Sequence, residues 1–283
     1  MLLTRLLLVA CLGLATPALA QTADAPPTAE ASVPALAEAL QLDALFAILR
    51  DEGIAYGQSL EADMFPGGGG PKWEGAVAAI YDVSTLRRGF EATLQTELAG
   101  DPETLAKILA FFTSDLGQRV VGLEVEARRA FLDTDTEEAA RVAADDRFAA
   151  RDPKVALLKR FIEAGDLVEM NVAGALSGNL AFLTGMAETG IDGQDIPEDE
   201  LMSQVWSQED QIRDDSTAWL YAYLGLAYAP LTEAELQSYV DFMESPQGKR
   251  LNAALFTAFN DVFRQVSHDL GRAAGLAIQG TNI

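Results

Sequence analysis

Apolar residues recur at helical spacing through most of the chain. In the segment ALAEALQLDALFAILRDEG, Leu42, Leu45 and Leu49 fall on one face of a helix. The glycine at position 53 is typical of a helix end. Alternating β-branched runs, which are typical of half-buried strands, are absent. The pattern therefore predicts an all-α fold, a helical array without a sheet, in which the first helix ends at Gly53.

Two stretches contain no charged residue, MNVAGALSGNLAFLTGMA (170–187) and TAWLYAYLGLAYA (217–229), and the second is apolar on all sides of the predicted helix. Small residues four apart in the first stretch would suit a membrane helix dimer. However, that stretch is at the short end for a membrane span and contains asparagines and glycines, while the second is shorter still. We therefore expect both to be buried helices of a core, and we expect no transmembrane helix in the mature chain.

A nine-residue pattern occurs twice, as FFTSDLGQR (111–119) and FMESPQGKR (242–250). Each serine is well placed to end one helix and cap the next, with Asp or Pro at the first helical position. Each glycine would allow a close approach to a neighbouring helix, and each arginine could reach carboxylates or helix-end carbonyls. We interpret the pattern as a structural joint, formed by Ser114, Gly117 and Arg119 in the first copy and by Ser245, Pro246, Gly248 and Arg250 in the second.

The alternative interpretation of the joint is an anion site at a helix N-terminus, with free N–H groups and a basic residue nearby. Two residues argue against it. Pro246 has no backbone N–H to donate, and Asp115 would repel an anion.

Longer similarities surround the joints and suggest an internal duplication. DPKVALLKRFIEAGD (152–166) is similar to the first helix, with Gly165 matching Gly53, and LTEAELQSYVDFMESPQGKR is similar to DPETLAKILAFFTSDLGQR. Thr232 and Glu235 have the spacing of a capping box. The organisation that we predict is a signal peptide at 1–20, a Pro/Ala-rich flexible linker at 21–34, helical half 1 at 35–133, a connecting segment at 134–151, helical half 2 at 152–272 and a C-terminal tail at 273–283.

The first twenty residues, MLLTRLLLVACLGLATPALA, have the layout of a secretory signal peptide, with cleavage expected after Ala20. The alternative is a lipoprotein acylated at Cys11, although only five apolar residues separate Arg5 from Cys11. The predicted location is therefore periplasmic or secreted. Cleavage after Ala20 removes the one cysteine, which excludes disulfides and thiolate metal sites in the mature chain.

The formal net charge of −23 limits the classes of partner. A field of this sign repels phosphate backbones and anionic membrane surfaces, so we expect no nucleic-acid binding. The charge favours cations or a basic partner, and it also suits an acidic surface that keeps an exported protein in solution.

The sequence gives little indication of catalysis. His268 is the one histidine, and a hydrolase that uses His268 or a pair of carboxylates is the alternative to a binding protein. The chain lacks a G-x-S-x-G elbow, and no carboxylate pair stands out among 43 acidic residues. We therefore predict no catalytic residue.

Two segments superficially resemble ligand loops. The glycines at 67–70 are not followed by the Lys-Ser/Thr of a phosphate loop. Asp133, Asp135 and Glu137 alternate as in a calcium loop, but the glycine expected at the sixth position and the glutamate expected at the twelfth are missing. Thr134 with Glu137 fits a capping box as well. We therefore expect no metal site and no cofactor.

The C-terminal copy of the joint has an aromatic residue and Ser-Pro-x-Gly-x-Lys/Arg between two amphipathic helices, after a Thr-Glu-x-Glu start. It resembles the bacterial envelope family called domain of unknown function 2059, and the first copy departs from that family's pattern at Asp115. The resemblance implies an exported helical protein and carries over no catalytic residues. The residues that carry it are Thr232, Glu235, Phe242, Ser245, Pro246, Gly248 and Arg250.

These observations favour an exported, non-enzymatic binding or scaffolding protein of the bacterial envelope. Aromatic residues are enriched in the second half of the chain, and a groove between the halves would be lined by Trp206, Trp219 and Tyr223. The expected partner is a protein, a peptide or an apolar ligand.

Overall fold

A computed structural model describes residues 31–190 and 197–280. The predicted signal peptide, Cys11 and most of the predicted linker lie outside the described residues. The helices are α1 (Val33–Ala39), α2 (Leu42–Met64), α3 (Gly70–Ile80), α4 (Val83–Leu98), α5 (Pro102–Phe112), α6 (Asp115–Ala130), α7 (Thr134–Ala150), α8 (Pro153–Ala164), α9 (Leu167–Ala187), α10 (Glu198–Trp206), α11 (Glu209–Ala227), α12 (Glu233–Glu244) and α13 (Pro246–Ile278).

The predicted all-α fold is confirmed, since the described part of the chain contains helices and no strand. The helices extend beyond the two predicted halves. Ser32 caps α1 inside the segment assigned to the linker, and α13 continues to Ile278 inside the segment assigned to the tail. The connecting segment is itself the helix α7.

The prediction that the first helix ends at Gly53 is wrong, because α2 continues without a break to Met64. Gly53 and Gly57 instead form a flat strip on α2. The ring of Tyr81 lies where a Cβ of Gly53 would be, and the side chain of Val77 lies close to where a Cβ of Gly57 would be. Here glycine allows α3 to pack closely on α2 rather than ending the helix.

The two joints have the same geometry. The side-chain oxygen of Ser114 accepts a hydrogen bond from the backbone N–H of Gly117 at 3.1 Å, and Ser245 accepts one from Gly248 at 3.1 Å. Each serine is therefore the N-cap of the following helix. A capping box at Thr232 and Glu235 begins the helix before the second joint.

The glycine in each joint allows close contact with the helix that comes before the joint. A Cβ on Gly117 would lie 2.7 Å from the Cα of Phe112, and a Cβ on Gly248 would lie 2.6 Å from the Cα of Met243. Both distances are too short for a real side chain. The turn can therefore close tightly only with glycine at this position.

The arginines of the joints tie the two halves together in both directions. Arg119, in the first half, pairs with Glu235 and donates to the carbonyl of Pro230 at 2.9 Å, both in the second half. Arg250, in the second half, pairs with the Glu97 carboxylate at 3.1 Å and also donates to the Glu97 carbonyl.

Helices from the two predicted halves also pack against each other. α6 contacts α11, and α13 contacts α4 as well as α9. The joints also touch one another, since the rings of Phe111 and Phe242 stack with centroids 3.9 Å apart. One continuous hydrophobic core accordingly includes Phe46 and Phe90 from the first half and Phe259 from the second.

The closest helix contact lies between α9 and α13. A Cβ on Gly185 would collide with the carbonyl of His268, and a Cβ on Gly271 would collide with the carbonyl of Phe182. The apolar stretch 170–187 belongs to α9 and packs on α13 through these glycines. Within residues 31–190 and 197–280, none of the helices combines the length and the apolar character needed to cross a bilayer.

Internal duplication stays a prediction, but the structure changes which residues of the two halves correspond to each other. Gly53 lies inside α2 whereas Gly165 is the C-cap of α8, so these two glycines are not equivalent. The corner between α1 and α2 and the corner between α8 and α9 each contain a left-handed residue, Gln41 (φ 49°) and Asp166 (φ 50°). These corners are the better structural match between the halves.

We predict that Gly271→Ala lowers the free energy of unfolding by about 2–3 kcal/mol, because the added methyl group has no space between α9 and α13. Gly75→Ala is the matched control, since Gly75 is exposed in α3 and its Cβ would meet no atom within 4 Å. That control is expected to be neutral or stabilising by up to ~1 kcal/mol. Urea denaturation measures both, and equal stabilities for the two variants would contradict the close contact.

Candidate functional site

A cavity of about 300 Å³ lies between α2, α6, α7 and α11, beside the end of α3. Its size suits a small organic molecule, and its wall combines aromatic, hydroxyl and charged groups. The lining residues are Glu52, Gly53, Ala55, Tyr56, Ser59, Tyr81, Arg128, Phe131, Leu132, Thr134, Glu137 and Trp219.

The charged part of the wall is an ion pair between Arg128 on α6 and Glu52 on α2. Arg128 is 1% exposed, and its Nε and Nη2 each donate to one Glu52 oxygen at 2.6 Å. The guanidinium carbon also lies 5.4 Å from the ring centroid of Trp219. Burial works to lower the pKa of Arg128, but Glu52 more than offsets it, so the pKa is raised and the guanidinium stays charged.

The aromatic part of the wall is rigid. Trp219 stacks on Tyr223 with centroids 4.7 Å apart, and Phe131 meets both rings edge-on. Tyr223 is fully buried behind Trp219 and donates its hydroxyl to the backbone carbonyl of Glu124 at 2.5 Å. This bond fixes α11 to α6, and it holds Trp219 at the surface of the cavity.

Tyr81 contributes a buried hydroxyl that no described residue satisfies. The side chain is 0% exposed, and its oxygen has no hydrogen-bond partner. Arg50 holds the residue in place by donating to the carbonyls of Ala78 (3.2 Å) and Tyr81 (3.3 Å) at the end of α3. Burial raises the pKa of Tyr81, and the nearby Tyr56 and Glu52 raise it further.

The remaining wall is acidic. Glu137 is 4% exposed and accepts from Arg141 at 2.9 Å. The lining therefore has the carboxylates of Glu52 and Glu137 against the single guanidinium of Arg128. Burial, together with the charge of Asp63, raises the pKa of Tyr56 to about 12.

The prediction of a capping box at Thr134 and Glu137 is wrong by one position. Asp133 is the N-cap of α7 and accepts from the backbone N–H of Asp135 at 3.0 Å. Glu137 is buried instead and accepts a hydrogen bond from Arg141. Among the described residues no group of three or more His, Cys, Asp or Glu side chains is arranged to hold a metal ion.

The three aromatics predicted to line a groove do not form one site. Trp219 lines the cavity, and Tyr223 supports it from behind without lining it. Trp206 lies at the end of α10, is 55% exposed and is not part of the cavity wall.

His268 lies on α13, outside this cavity. Its Nε2 is 3.1 Å from Glu188 and its Nδ1 is 3.4 Å from Asp269, so both ring nitrogens face carboxylates. Burial opposes the charged form of the ring, but the bonds to Glu188 and Asp269 prevail and raise the pKa of His268. These are the contacts of a surface ion pair.

Sequence reasoning missed Glu52, Tyr81 and Arg128. One signal was available on α6, where Val121, Val125 and Arg128 share a helical face. A charge on an apolar stripe needs a buried partner. Nothing in the sequence identifies that partner as Glu52, which is 76 positions away.

Fold and cavity together define an all-α protein with a partly charged cavity that opens to the surface. Residues 99–146 match the family described as "Uncharacterized protein conserved in bacteria (DUF2059)", which confirms the resemblance. The matched segment lies on the first copy of the joint, whereas we placed the resemblance best on the second. It includes Arg128 and Glu137. No curated protein and no solved structure matches the chain.

We predict that Glu52→Gln lowers the free energy of unfolding by about 3 kcal/mol, because Arg128 is then buried without its paired carboxylate. The double variant Glu52→Leu, Arg128→Met should recover most of this loss. Glu103→Gln is the control, since Glu103 forms an exposed pair with Lys107, and it should change little. Urea denaturation of all three variants tests this, and a Glu52→Gln protein as stable as the control would contradict the buried pair.

Proposed function

We propose that this protein binds a small organic molecule in the cavity beside Arg128 and Glu52, as a non-enzymatic binding protein of the bacterial envelope. The observation that carries the proposal is Tyr81, a residue of the cavity wall whose buried hydroxyl has no hydrogen-bond partner among the described residues. An unsatisfied buried polar group costs about 1–3 kcal/mol. A ligand that hydrogen-bonds this hydroxyl would remove that cost.

The wall supports a ligand with one apolar side and one polar group. Trp219 and Phe131 provide the apolar surface, while the hydroxyls of Tyr81, Ser59 and Thr134 provide hydrogen-bonding groups. Pockets that combine aromatic walls with a few polar groups are typical of small-molecule sites.

The charges of the wall favour a cation over an anion. Arg128 is already bound by both oxygens of Glu52, so it attracts a ligand carboxylate weakly. The two carboxylates of the lining outnumber it, and ring faces such as that of Tyr56 attract ammonium groups. A small organic amine is therefore the ligand class that we propose.

Binding without chemical conversion is supported by the way in which the charged groups are used. Glu52 is paired with Arg128, and Glu137 is paired with Arg141. A general acid or base needs a group that is available to exchange a proton with the substrate, whereas both of these carboxylates are already bound by arginine side chains.

Placement in the periplasm, or secretion, is part of the same proposal. It is supported by the signal-like residues before Ala20 and by the net charge of −23. The matched family is one of bacterial proteins. The alternative N-terminus, a lipidated Cys11, would place the same domain at a membrane surface.

Calorimetric titration with matched amines and acids tests the ligand class. Phenethylamine and 3-phenylpropionate have similar apolar parts and opposite charges, and we expect the amine to bind and the acid to bind at least tenfold more weakly. If the acid binds as tightly as the amine, the ligand class is wrong. If no member of a wider panel of amines, acids and neutral alcohols binds, the proposed function is wrong.

We predict that Tyr81→Phe weakens binding of the amine about tenfold, or ~1.4 kcal/mol, because one hydrogen bond is lost. The same change should leave Tm unchanged or raise it, since the hydroxyl has no partner within the described protein. Tyr221→Phe, on α11 outside the cavity, is the control and should bind normally. Unchanged affinity in Tyr81→Phe would contradict the assigned role of the hydroxyl.

A further inference from the structure

A second concave surface lies on the outside of the molecule, between α7 and α11. It is a groove of about 540 Å³ and shares no lining residue with the cavity beside Arg128 and Glu52. Ala144 and Ala218 are among its lining residues and have short side chains. The two surfaces follow one another along the same face of α7, with the cavity at the start of the helix and the groove further along it.

The groove has an exposed aromatic contact. Phe148 is 46% exposed, and its ring lies 4.8 Å from that of Tyr221 in an edge-on arrangement. Exposed apolar contacts with a polar rim are typical of interaction surfaces.

Acidic side chains surround this apolar surface. Glu138 and Asp145 on α7 and Asp214 on α11 line the groove and are exposed. The basic residue in the lining is Arg141, which is bound to Glu137, one turn earlier on α7. The groove is therefore negative at its edges and apolar between them.

The negative charge of the groove indicates which kind of segment could bind in it. After the predicted cleavage site at Ala20, the chain's own segments outside the described residues do not complement the groove. QTADAPPTAE (21–30) and IDGQDI (191–196) each contain two acidic residues and no Lys or Arg, and TNI (281–283) is uncharged. A second copy of the chain would also be repelled, since each copy has a net charge of −23.

We propose that this groove docks a basic amphipathic helix of a partner protein. An apolar residue of that helix inserts beside Phe148 and Tyr221, and Lys or Arg residues on its flanks pair with Asp145 and Asp214. Such a helix-in-groove contact uses apolar anchors one turn apart and charges for orientation. The proposal does not depend on the cavity beside Arg128 and Glu52, so the two can succeed or fail separately.

The chain offers a matched control for the charges. Asp145 and Asp214 line the groove, whereas their neighbours Asp146 and Asp215 do not. The double variant Asp145→Lys, Asp214→Lys and the double variant Asp146→Lys, Asp215→Lys change the net charge equally. A difference in affinity between the two double variants therefore reflects the charges of the groove rather than the net charge of the protein.

Fluorescence polarisation with a labelled synthetic helix tests the proposal. The probe has leucine at helical spacing on one face and lysine on the flanks, and a second probe has glutamate in place of lysine. We expect the lysine probe to bind the full-length protein, with affinity falling as salt rises. The Asp145→Lys, Asp214→Lys variant should bind at least tenfold more weakly than the Asp146→Lys, Asp215→Lys variant.

The apolar contribution is tested by Phe148→Ser, which should weaken binding of the lysine probe several-fold at high salt, where charge is screened. Circular dichroism confirms that each variant is folded. Equal binding by the two charge-reversal variants would show attraction by net charge alone and would overturn the proposal. Equal binding of the lysine and glutamate probes, or no binding of the lysine probe at low salt, would also overturn it.

Discussion

The tight joint between consecutive helices is the constraint on which the rest of the structure depends. A serine caps the new helix, and a glycine lets that helix lie against the last turn of the old one, as at Gly117 and Gly248. The arginine that follows each glycine then binds the other half of the chain. The first joint fixes the direction of α6, and this direction places Arg128 opposite Glu52. The cavity wall is built around that ion pair.

The buried pair of Arg128 and Glu52 explains why a cavity can exist in this core. Two charges taken from water are costly, and they are tolerated only with good geometry and further polar contacts. Both oxygens of Glu52 are used, and Trp219 covers the guanidinium. Apolar residues cannot collapse against such a pair without removing those contacts. The charged wall therefore keeps open a space that a purely apolar core would fill.

Local features of this fold could be predicted from the sequence, and long-range ones could not. The caps at Ser114, Ser245 and Thr232 depend on residues three positions apart, so the sequence contains all the information. The end of a helix was wrongly predicted at Gly53 because glycine occurs both at helix ends and where another helix packs closely. Only the position of the Tyr81 ring shows that Gly53 has the second role. The cavity likewise depends on residues that the fold brings together from four helices.

Native-state hydrogen exchange, followed by mass spectrometry across increasing denaturant, tests the interlocked core most directly. If the joints and their arginines bind the halves together, the amides of α6 and α13 exchange through one shared opening, with the same free energy and the same denaturant dependence. A first half that opens at clearly lower free energy, while α8, α9 and α13 stay protected, would contradict the account. In that case the cavity between the halves would not be a fixed site.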